Sequence, residues 1–343
     1  MMNEMIQPIK SGRIKRQRRF LAVTAILTVL ALALSGAMLM LGNTIYPIRE
    51  VIGVLIGEEV SGASFAVGTI RLPRMIAGVF AGFAFGVAGH VFQTMLRNPL
   101  ANPNVIGITA GSSAAAVFSI IVLQASSTFI SVSSVIGGLI TVLVIFTLSK
   151  STSFSIGRLI LIGIGIQAML NAVISYLLLI GQENDIPTAM RWLTGSLNGA
   201  TTEGLYPLIV TVLIFTPVIL ALSRRLDMLE LGEQAATSLG VNTGQTRFLL
   251  VVSSVMIIAL ATAATGPIAF IAFLSGPIAK RLVGAGFSGA IPAGLVGIIL
   301  VLASDLIGQF AFTARYPVGV ITGILGAPYL IYLLIRMNQK GDL

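Results

Sequence analysis

Long apolar segments separated by short charged ones run along the whole of this 343-residue chain. A helix needs about 20 apolar residues to cross the hydrocarbon core of a bilayer, and each uncharged run reaches that length. The runs are 20–48, 75–96, 98–149, 159–182, 204–223, 248–279, 282–304 and 316–335. The pattern predicts an all-α polytopic membrane protein with a single transmembrane domain at 20–337.

Two of the runs are too long for one span. Run 98–149 would extend about 78 Å as a single helix, so we expect two spans joined by the polar turn Gln124–Thr128. Gly266 and Pro267 interrupt run 248–279, and a proline there removes a helix hydrogen bond. Dividing both runs gives about ten transmembrane helices.

The basic residues favour ten spans over nine, because positive residues collect at the cytoplasmic ends of membrane helices. Ten spans place 16 of the 21 Lys and Arg residues on the side of a cytoplasmic N-terminus: Lys10, Arg13, Lys15, Arg16, Arg18, Arg19, Arg97, Lys150, Arg158, Arg224, Arg225, Arg247, Lys280, Arg281, Arg336 and Lys340. The outer side keeps Arg49, Arg71, Arg74, Arg191 and Arg315. We therefore expect a basic cytoplasmic segment at 1–19, a retained first helix and a cytoplasmic tail at 338–343.

Composition excludes most catalytic chemistry. The chain is 56% hydrophobic and 10% charged, so the net charge of +9 reflects topology and does not indicate nucleic-acid binding. It has no cysteine and one histidine, His90, which excludes thiolate metal sites, His-based metal clusters and a Ser-His-Asp triad within this chain. A phosphate-binding P-loop is also absent. We expect His90 to be a neutral imidazole bonded to a nearby backbone carbonyl, in preference to a proton relay.

The stretch 71–107 combines charge, small residues and turn signals. It opens with two arginines three residues apart and ends with two Asn-Pro turns. Between them Gly78, Gly82 and Gly86 recur at every fourth position, which places them on one face of a helix. In lipid, small residues let helix backbones approach closely. The pattern predicts a tightly packed helix, either for packing alone or beside a moving or substrate-bearing core.

The longest predicted cytoplasmic loop spans 223–247. Its segment LELGEQAATSL has short helical periodicity, and Gly240 is a good C-terminal stop. We predict a short surface helix at about 227–241. From the pattern alone it is either an interfacial anchor or a handle for a cytosolic partner.

Several segments together resemble the permease family of ABC importers for ferric siderophores, haem and vitamin B12, the FecCD-like transmembrane subunits. The segments are RLPR at 71–74, RNPLANPNVIG at 97–107, WLTGSLNGA at 192–200, LGEQAATSLGV at 231–241, GPIAFIAF at 266–273 and PVGVITGILGAP at 317–328. The resemblance implies a non-enzymatic permease subunit in the bacterial cell membrane that imports a ferric siderophore. Vitamin B12 or haem import is the alternative, and an ion-coupled secondary transporter or a membrane scaffold are competing classes.

The resemblance also implies roles for residues. Arg71 and Arg74 would dock the substrate-binding protein, unless they anchor the helix end at the headgroups. ATPase coupling would use Leu231, Gly232, Glu233, Ala235, Ala236, Leu239 and Gly240. Helix packing or the translocation path would use Gly78, Gly82, Gly86, Gln93, Asn98 and Pro99. Asp305 is a structural or outer-gate polar candidate.

The implied partners are a cytosolic ABC ATPase dimer, an extracytoplasmic siderophore-binding protein, membrane lipid and a second permease subunit. The second subunit is a related chain or, slightly less favoured, a copy of this one. The chain itself would bind no cofactor, because ATP is used by the ATPase. Two positions depart from the family pattern. Gly276-Pro277 stands where the family has a Pro-His pair, and Gln309 stands where it often has an arginine. Arg315 is a candidate replacement for that outer positive charge.

Overall fold

The structure, a computed structural model, describes residues 2–149, 156–284 and 286–340, and its regular elements there are helical. The α-helices are α1 (Met2–Met40), α2 (Ile48–Leu55), α3 (Leu72–Met95), α4 (Ile108–Ile121), α5 (Ser127–Ser149), α6 (Ile156–Ile180), α7 (Ile186–Thr194), α8 (Thr202–Ala221), α9 (Ser223–Glu230), α10 (Glu233–Ser238), α11 (Thr243–Thr265), α12 (Ile271–Val283), α13 (Ala290–Phe310) and α14 (Val318–Lys340). A π-helical segment, Ser64–Arg71, leads directly into α3, and a 3₁₀ turn, Pro103–Ile106, precedes α4.

Within the described ranges, eight helices are long and apolar enough to cross a membrane: α1, α3 with its π-helical extension, α5, α6, α8, α11, α13 and α14. The two predicted interruptions are confirmed. Gln124 has a positive φ of 45° between α4 and α5, and Gly266 ends α11 before Pro267. The apolar helix α4 has 14 residues and α12 has 13. A total of ten spans requires counting both, and it stays a prediction.

Four predicted boundaries need correction. Helix α1 is continuous from Met2 to Met40, so the described part of the basic segment 1–19 is the first half of that helix. Helix α1 then ends at Met40, eight residues before the end of the apolar run 20–48. Gly284, at φ 82°, ends α12, and α13 begins only at Ala290. That helix continues past the end of the apolar run at 304 to Phe310, and the Asp305 carboxylate within it is paired with Arg74. Lys150 and the tail residues 341–343 lie outside the described residues.

The core is built around α3, which packs against α13, α12, α11, α8 and α1. In α3, α11 and α13, 72%, 67% and 61% of the most apolar window is buried, against 11–33% in the other long helices. The outer helices therefore present apolar side chains to lipid or to another subunit. Helix α4 pairs with α5 and α6 at one side of this core.

The charged residues separate into two faces at opposite ends of α3. One face joins Arg74 to Asp305 and Arg315 to Asn43. The opposite face joins Lys280 to Glu230, Arg247 to Glu233 and Arg19 to the carbonyl groups of Arg281 and Leu282. The second face holds the larger set of the basic residues, so the positive-inside rule predicts that it faces the cytoplasm. We call it the inner or cytoplasmic face in that sense, and the opposite one the outer face.

Candidate functional site

At the outer end of α3, Arg74 forms a buried ion pair with Asp305 of α13. Its Nε and Nη2 atoms donate to the two carboxylate oxygens, each at 2.8 Å. Its Nη1 atom donates to the side-chain oxygen of Asn198. The Asp305 side chain is only 1% exposed and that of Arg74 15%. A buried carboxylate is stable only when its charge is paired and its oxygens are hydrogen-bonded. This geometry joins α3, α13 and the 195–199 loop.

Gln309 contributes a third hydrogen bond to the same carboxylate. Its Nε2 atom donates to Oδ2 of Asp305 at 2.7 Å, one helical turn away on α13. The amide thus supplies a donor at the position where the resemblance leads us to expect an arginine. The outer-gate role of Asp305 stays a prediction.

Arg71 has a different set of partners. Its guanidinium donates to the backbone oxygens of Leu39 at 2.9 Å, Met40 at 2.8 Å and Thr44 at 2.8 Å. It also lies over the ring of Tyr46, 4.9 Å from the centroid. The last carbonyl groups of a helix lack intrahelical donors, so Arg71 caps the end of α1.

Both guanidiniums are thus bonded within the chain. Docking of a binding protein at Arg71 and Arg74 stays a prediction. The alternative, that these arginines anchor the helix end at the lipid headgroups, also stays a prediction.

Two neighbouring outer cavities contain these arginines. The first, of about 290 Å³, is lined by Arg71, Arg74 and Arg315 among others. The second, of about 320 Å³, is lined by Arg74, Arg191 and Arg315 together with Ser196, Asn198, Tyr316 and Pro317. The pattern of basic residues predicts Arg191 on the outer side and indicates no role for it. Its only signal was a lone charge next to Trp192.

The glycine stripe of α3 lies against the backbone of its neighbours. A Cβ atom on Gly82 would approach the carbonyl oxygen of Gly297 in α13 to 2.7 Å, and one on Gly86 would overlap the carbonyl oxygen of Ala293. A Cβ on Gly78 would approach Leu302 to 2.6 Å. This face is occupied by helix packing. A role in the translocation path stays a prediction.

At the inner end of α3, Gln93 is buried and its Nε2 atom donates to the backbone oxygen of Phe273 at 2.9 Å. It thus bridges to α12, beside Gly276. Asn98 accepts from the backbone N–H of Leu100 at 2.8 Å and so closes a turn with Pro99. An inner cavity of about 250 Å³ is lined by these residues, His90, Glu230 and Lys280 among others. Their place in the substrate path stays a prediction.

His90 departs from expectation. Its Nε2 atom is buried and has no hydrogen-bond partner among the described residues. The ring lies against Gly289, whose added Cβ would approach Cε1 to 2.7 Å. The predicted carbonyl bond is therefore not formed at Nε2.

The cytoplasmic loop contains two short helices where one was predicted at 227–241. Helix α9 ends at Glu230, and the positive φ of Gly232, 113°, interrupts the helical backbone before α10 begins. The predicted stop at Gly240 is confirmed. Its N–H donates to Thr237 at 2.9 Å while that of Val241 donates to Ala236 at 3.0 Å, which is the Schellman pattern of helix termination.

The outward side of this loop, which we call the α10 surface, consists of exposed Leu231, Ala235, Leu239 and Gly240. The two leucines are 66% and 58% exposed. Ala236 is fully buried and so cannot contact a partner directly. Its predicted contact role is corrected to packing.

Ionic contacts join helices α10 and α9 to the rest of the chain. Glu233 pairs with Arg247 of α11 at 3.1 Å and is 60% exposed, while Lys280 of α12 bonds to Glu230. Burial raises the pKa of Asp227 in α9, and the negative charge of Glu230 adds to the rise while Lys280 opposes it. Coupling by the predicted residues stays a prediction.

No group of three or more His, Cys, Asp or Glu side chains within 2–149, 156–284 and 286–340 is placed to hold a metal ion. The chemistry of the described sites is therefore that of hydrogen bonds, ion pairs and apolar contact.

Comparisons with known proteins agree with this architecture. The sequence profile of the FecCD transport family matches residues 26–336. The ferric enterobactin transport system permease protein FepG of Escherichia coli (strain K12) is 36% identical over 327 residues, which cover 94% of this chain and 98% of that protein. The achromobactin transport system permease protein CbrC of Dickeya dadantii (strain 3937) is 34% identical, covering 96% of each chain.

A Bacillus subtilis (strain 168) relative, the Fe(3+)-citrate import system permease protein YfmE, is 33% identical and covers 93% of this chain and 96% of its own. Among solved structures, an inward-facing metal-chelate type ABC transporter superposes with a TM-score of 0.82 at 26% identity, covering 92% of this chain and all of that one. The chain is a membrane permease rather than an enzyme, and it belongs to the FecCD transport family.

Proposed function

We propose that this chain is the permease subunit of a binding-protein-dependent importer that moves a ferric siderophore into the cytoplasm. ATP would be hydrolysed by a separate ATPase dimer, and this chain would bind no cofactor. The α10 surface carries the proposal. It exposes two leucines on the cytoplasmic face of a chain without a P-loop of its own. Exposed apolar side chains grouped in this way are typical of a protein contact.

The contacts around α10 suit the transmission of force. Ala236 packs into the core and Glu233 is paired with Arg247, so α10 is attached to α11. Helix α9 in turn packs against α3. A displacement imposed on the α10 surface by an ATPase would therefore reach the central helix through packed contacts. The second permease subunit and the extracytoplasmic siderophore-binding protein complete the proposed assembly.

A second permease subunit is supported by polar residues on α6. Only 17% of the most apolar window of this helix is buried within the chain, yet it carries Gln167 and the exposed Asn171. Polar side chains are expensive in hydrocarbon and generally face protein or a water-filled cavity. We therefore expect this part of α6 to lie at a subunit interface or beside the substrate path, which two subunits enclose.

The substrate assignment rests on the relatives, whose names specify ferric enterobactin, achromobactin and Fe(3+)-citrate. In such compounds the chelator already holds the iron. A permease therefore needs no metal ligands of its own, and the residue chemistry described above fits that requirement. Vitamin B12 and haem are the alternative substrates to test.

The test compares uptake of ⁵⁵Fe-labelled catecholate, carboxylate and hydroxamate siderophores in cells with and without this chain. Leu239→Glu and Glu233→Arg should abolish uptake and ATPase co-purification while membrane insertion is retained. Leu282→Glu, which alters another exposed leucine on the same face, should leave both unchanged. Equal uptake with and without the chain for every siderophore would overturn the assignment. Transport by the purified chain without an ATPase would favour an ion-coupled carrier instead.

A further inference from the structure

Three guanidiniums line the outer cavity of about 320 Å³, which we call the arginine cavity: those of Arg74, Arg191 and Arg315. They come from α3, α7 and the segment before α14, so the fold brings together three distant parts of the sequence. The adjoining cavity of about 290 Å³ shares Arg74, Arg315 and Asn198. Their sizes fall at the lower end of the range of small-molecule sites.

The positive charge of the arginine cavity is only partly balanced. Asp305 neutralises Arg74. Arg315 bonds to the neutral side chain of Asn43, and Arg191 forms no ion pair or side-chain hydrogen bond with any residue that the structure describes. No acidic side chain of the described residues lines either cavity. Two guanidinium charges therefore remain uncompensated.

The loop 195–199, which supplies hydrogen-bond donors beside these arginines, is held in place by backbone hydrogen bonds. In the loop 195–199, the N–H of Ser196 donates to Thr265 at 2.7 Å, and the carbonyl of Gly195 accepts from the N–H of Gly319 at 3.2 Å. Asn198 accepts from Arg74 through its oxygen, which leaves its side-chain nitrogen available as a donor. Donors fixed before a ligand arrives lose little freedom on binding.

We propose that the arginine cavity binds the anionic ferric chelate on its way into the permease, and that this site restricts the substrate to negatively charged chelates. The proposal rests on the proposed import function and deepens it. A ferric tris-catecholate carries three negative charges and ferric carboxylate chelates are also anionic, whereas a ferric tris-hydroxamate is neutral. Guanidinium groups bind carboxylate and similar oxygen pairs through two parallel hydrogen bonds. Arg191 and Arg315 supply the binding charge, and Arg74 is fixed by Asp305 as a positioning residue.

Carboxylates of a binding protein are the competing occupant of these arginines. The two occupants differ in what they require. A docking site binds the binding protein whether or not it carries a chelate, while a chelate site binds the small anion with no binding protein present. The cavity of about 320 Å³ formed between three elements favours the small anion, because an acidic side chain of another protein can bind a single exposed arginine without any cavity.

The experiment uses the assembled permease–ATPase complex in nanodiscs without the binding protein. Equilibrium dialysis measures the Kd for a ⁵⁵Fe tris-catecholate and for a ⁵⁵Fe tris-hydroxamate. We expect the native complex to bind the tris-catecholate and not the tris-hydroxamate. Arg191→Gln and Arg315→Gln should each raise the Kd about tenfold or more, as expected for loss of a hydrogen bond to a charged group. Arg49→Gln, an exposed outer arginine outside both cavities, is the matched control and should change the Kd less than twofold.

Two results would overturn the inference: no binding of the anionic chelate by the native complex, or a Kd that the cavity variants leave unchanged. Weaker binding of the chelate-free binding protein to Arg191→Gln and Arg315→Gln nanodiscs, with chelate binding unaltered, would assign these arginines to docking. Failure of the import function shows separately, as whole-cell iron uptake that does not depend on this chain.

Discussion

Replacing Asp305 with asparagine should destabilise the protein strongly, because it leaves the guanidinium of Arg74 without its counter-charge. Asp305 accepts two hydrogen bonds from Arg74 and one from Gln309, and its side chain is 1% exposed. Breaking a buried ion pair by removing one partner costs about 3–5 kcal/mol. Arg74 is 15% exposed and lies at the end of the helix, where water partly solvates it, so we expect about 3 kcal/mol.

Two further variants make the prediction quantitative. Gln309→Leu removes one hydrogen bond to a charged group and should cost about 1.5–3 kcal/mol. The double variant Arg74→Met with Asp305→Leu removes both charges and leaves no buried ion unpaired. It should therefore be more stable than Asp305→Asn alone, since apolar replacement of a whole buried pair is often neutral.

The assay is reversible unfolding in mixed detergent micelles, with the free energy of unfolding obtained for the native protein and each variant. A double-mutant cycle with the single variants Arg74→Met and Asp305→Leu separates the pair interaction from the loss of each side chain. A cost below about 1 kcal/mol for Asp305→Asn, or a double variant as unstable as the two single losses added together, would refute the view that charge compensation stabilises this contact.

Two other predictions concern helix packing and pH. Gly82→Ala should lower the free energy of unfolding by about 1–3 kcal/mol, because its Cβ would approach the carbonyl oxygen of Gly297 to 2.7 Å. The control is Gly165→Ala in α6, where the added carbon meets open space. This variant should not be destabilising in the same unfolding assay. Burial raises the pKa of Asp227, so the folded state binds the proton of this carboxyl group more tightly than the unfolded chain does. Stability is therefore lost as the pH rises from the ordinary pKa of an Asp, about 4, through the raised pKa. Asp227→Asn should therefore increase the melting temperature at pH 7, and this gain should vanish below about pH 4. A gain of equal size at both pH values would contradict the assignment of the pH dependence to this carboxyl group.

Features fixed by neighbouring residues were predictable from the sequence. Gly266-Pro267 broke the long apolar run as expected, and Gly240 ended α10. Both depend on local backbone chemistry, namely the missing N–H of proline and the access of glycine to positive φ. The break at Gly232 was missed although its cause is also local. A glycine inside a periodic segment is compatible with a continuous helix, so the pattern alone did not indicate the break.

The partners of charged residues could not be predicted, because they lie far apart in sequence. Arg71 and Arg74 are three residues apart, and they do line one cavity, as the spacing suggests. Yet Arg74 bonds to a residue 231 positions away, and Arg71 to one 31 positions away. Periodicity describes which face a residue occupies but carries no information on the helix that packs there. The place of Arg191 in the arginine cavity could not be predicted for the same reason, because the lone charge next to Trp192 indicates none of its distant neighbours.

The packing of α3 constrains how the proposed importer changes conformation. Its outer end is joined to α13 by the Arg74–Asp305 pair, its middle contacts α13 backbone to backbone at Gly82, and its inner end bonds to α12 through Gln93. Where backbones touch directly, no layer of side chains is available to repack, and closely packed interiors transmit strain with little compression. We therefore expect helices α3, α12 and α13 to move as one body. A change of access must then come from rotation of whole subunits against each other, or from the less buried helices α5, α6 and α8. Since α9 packs on α3, a displacement of the α10 surface would turn this central body rather than bend it.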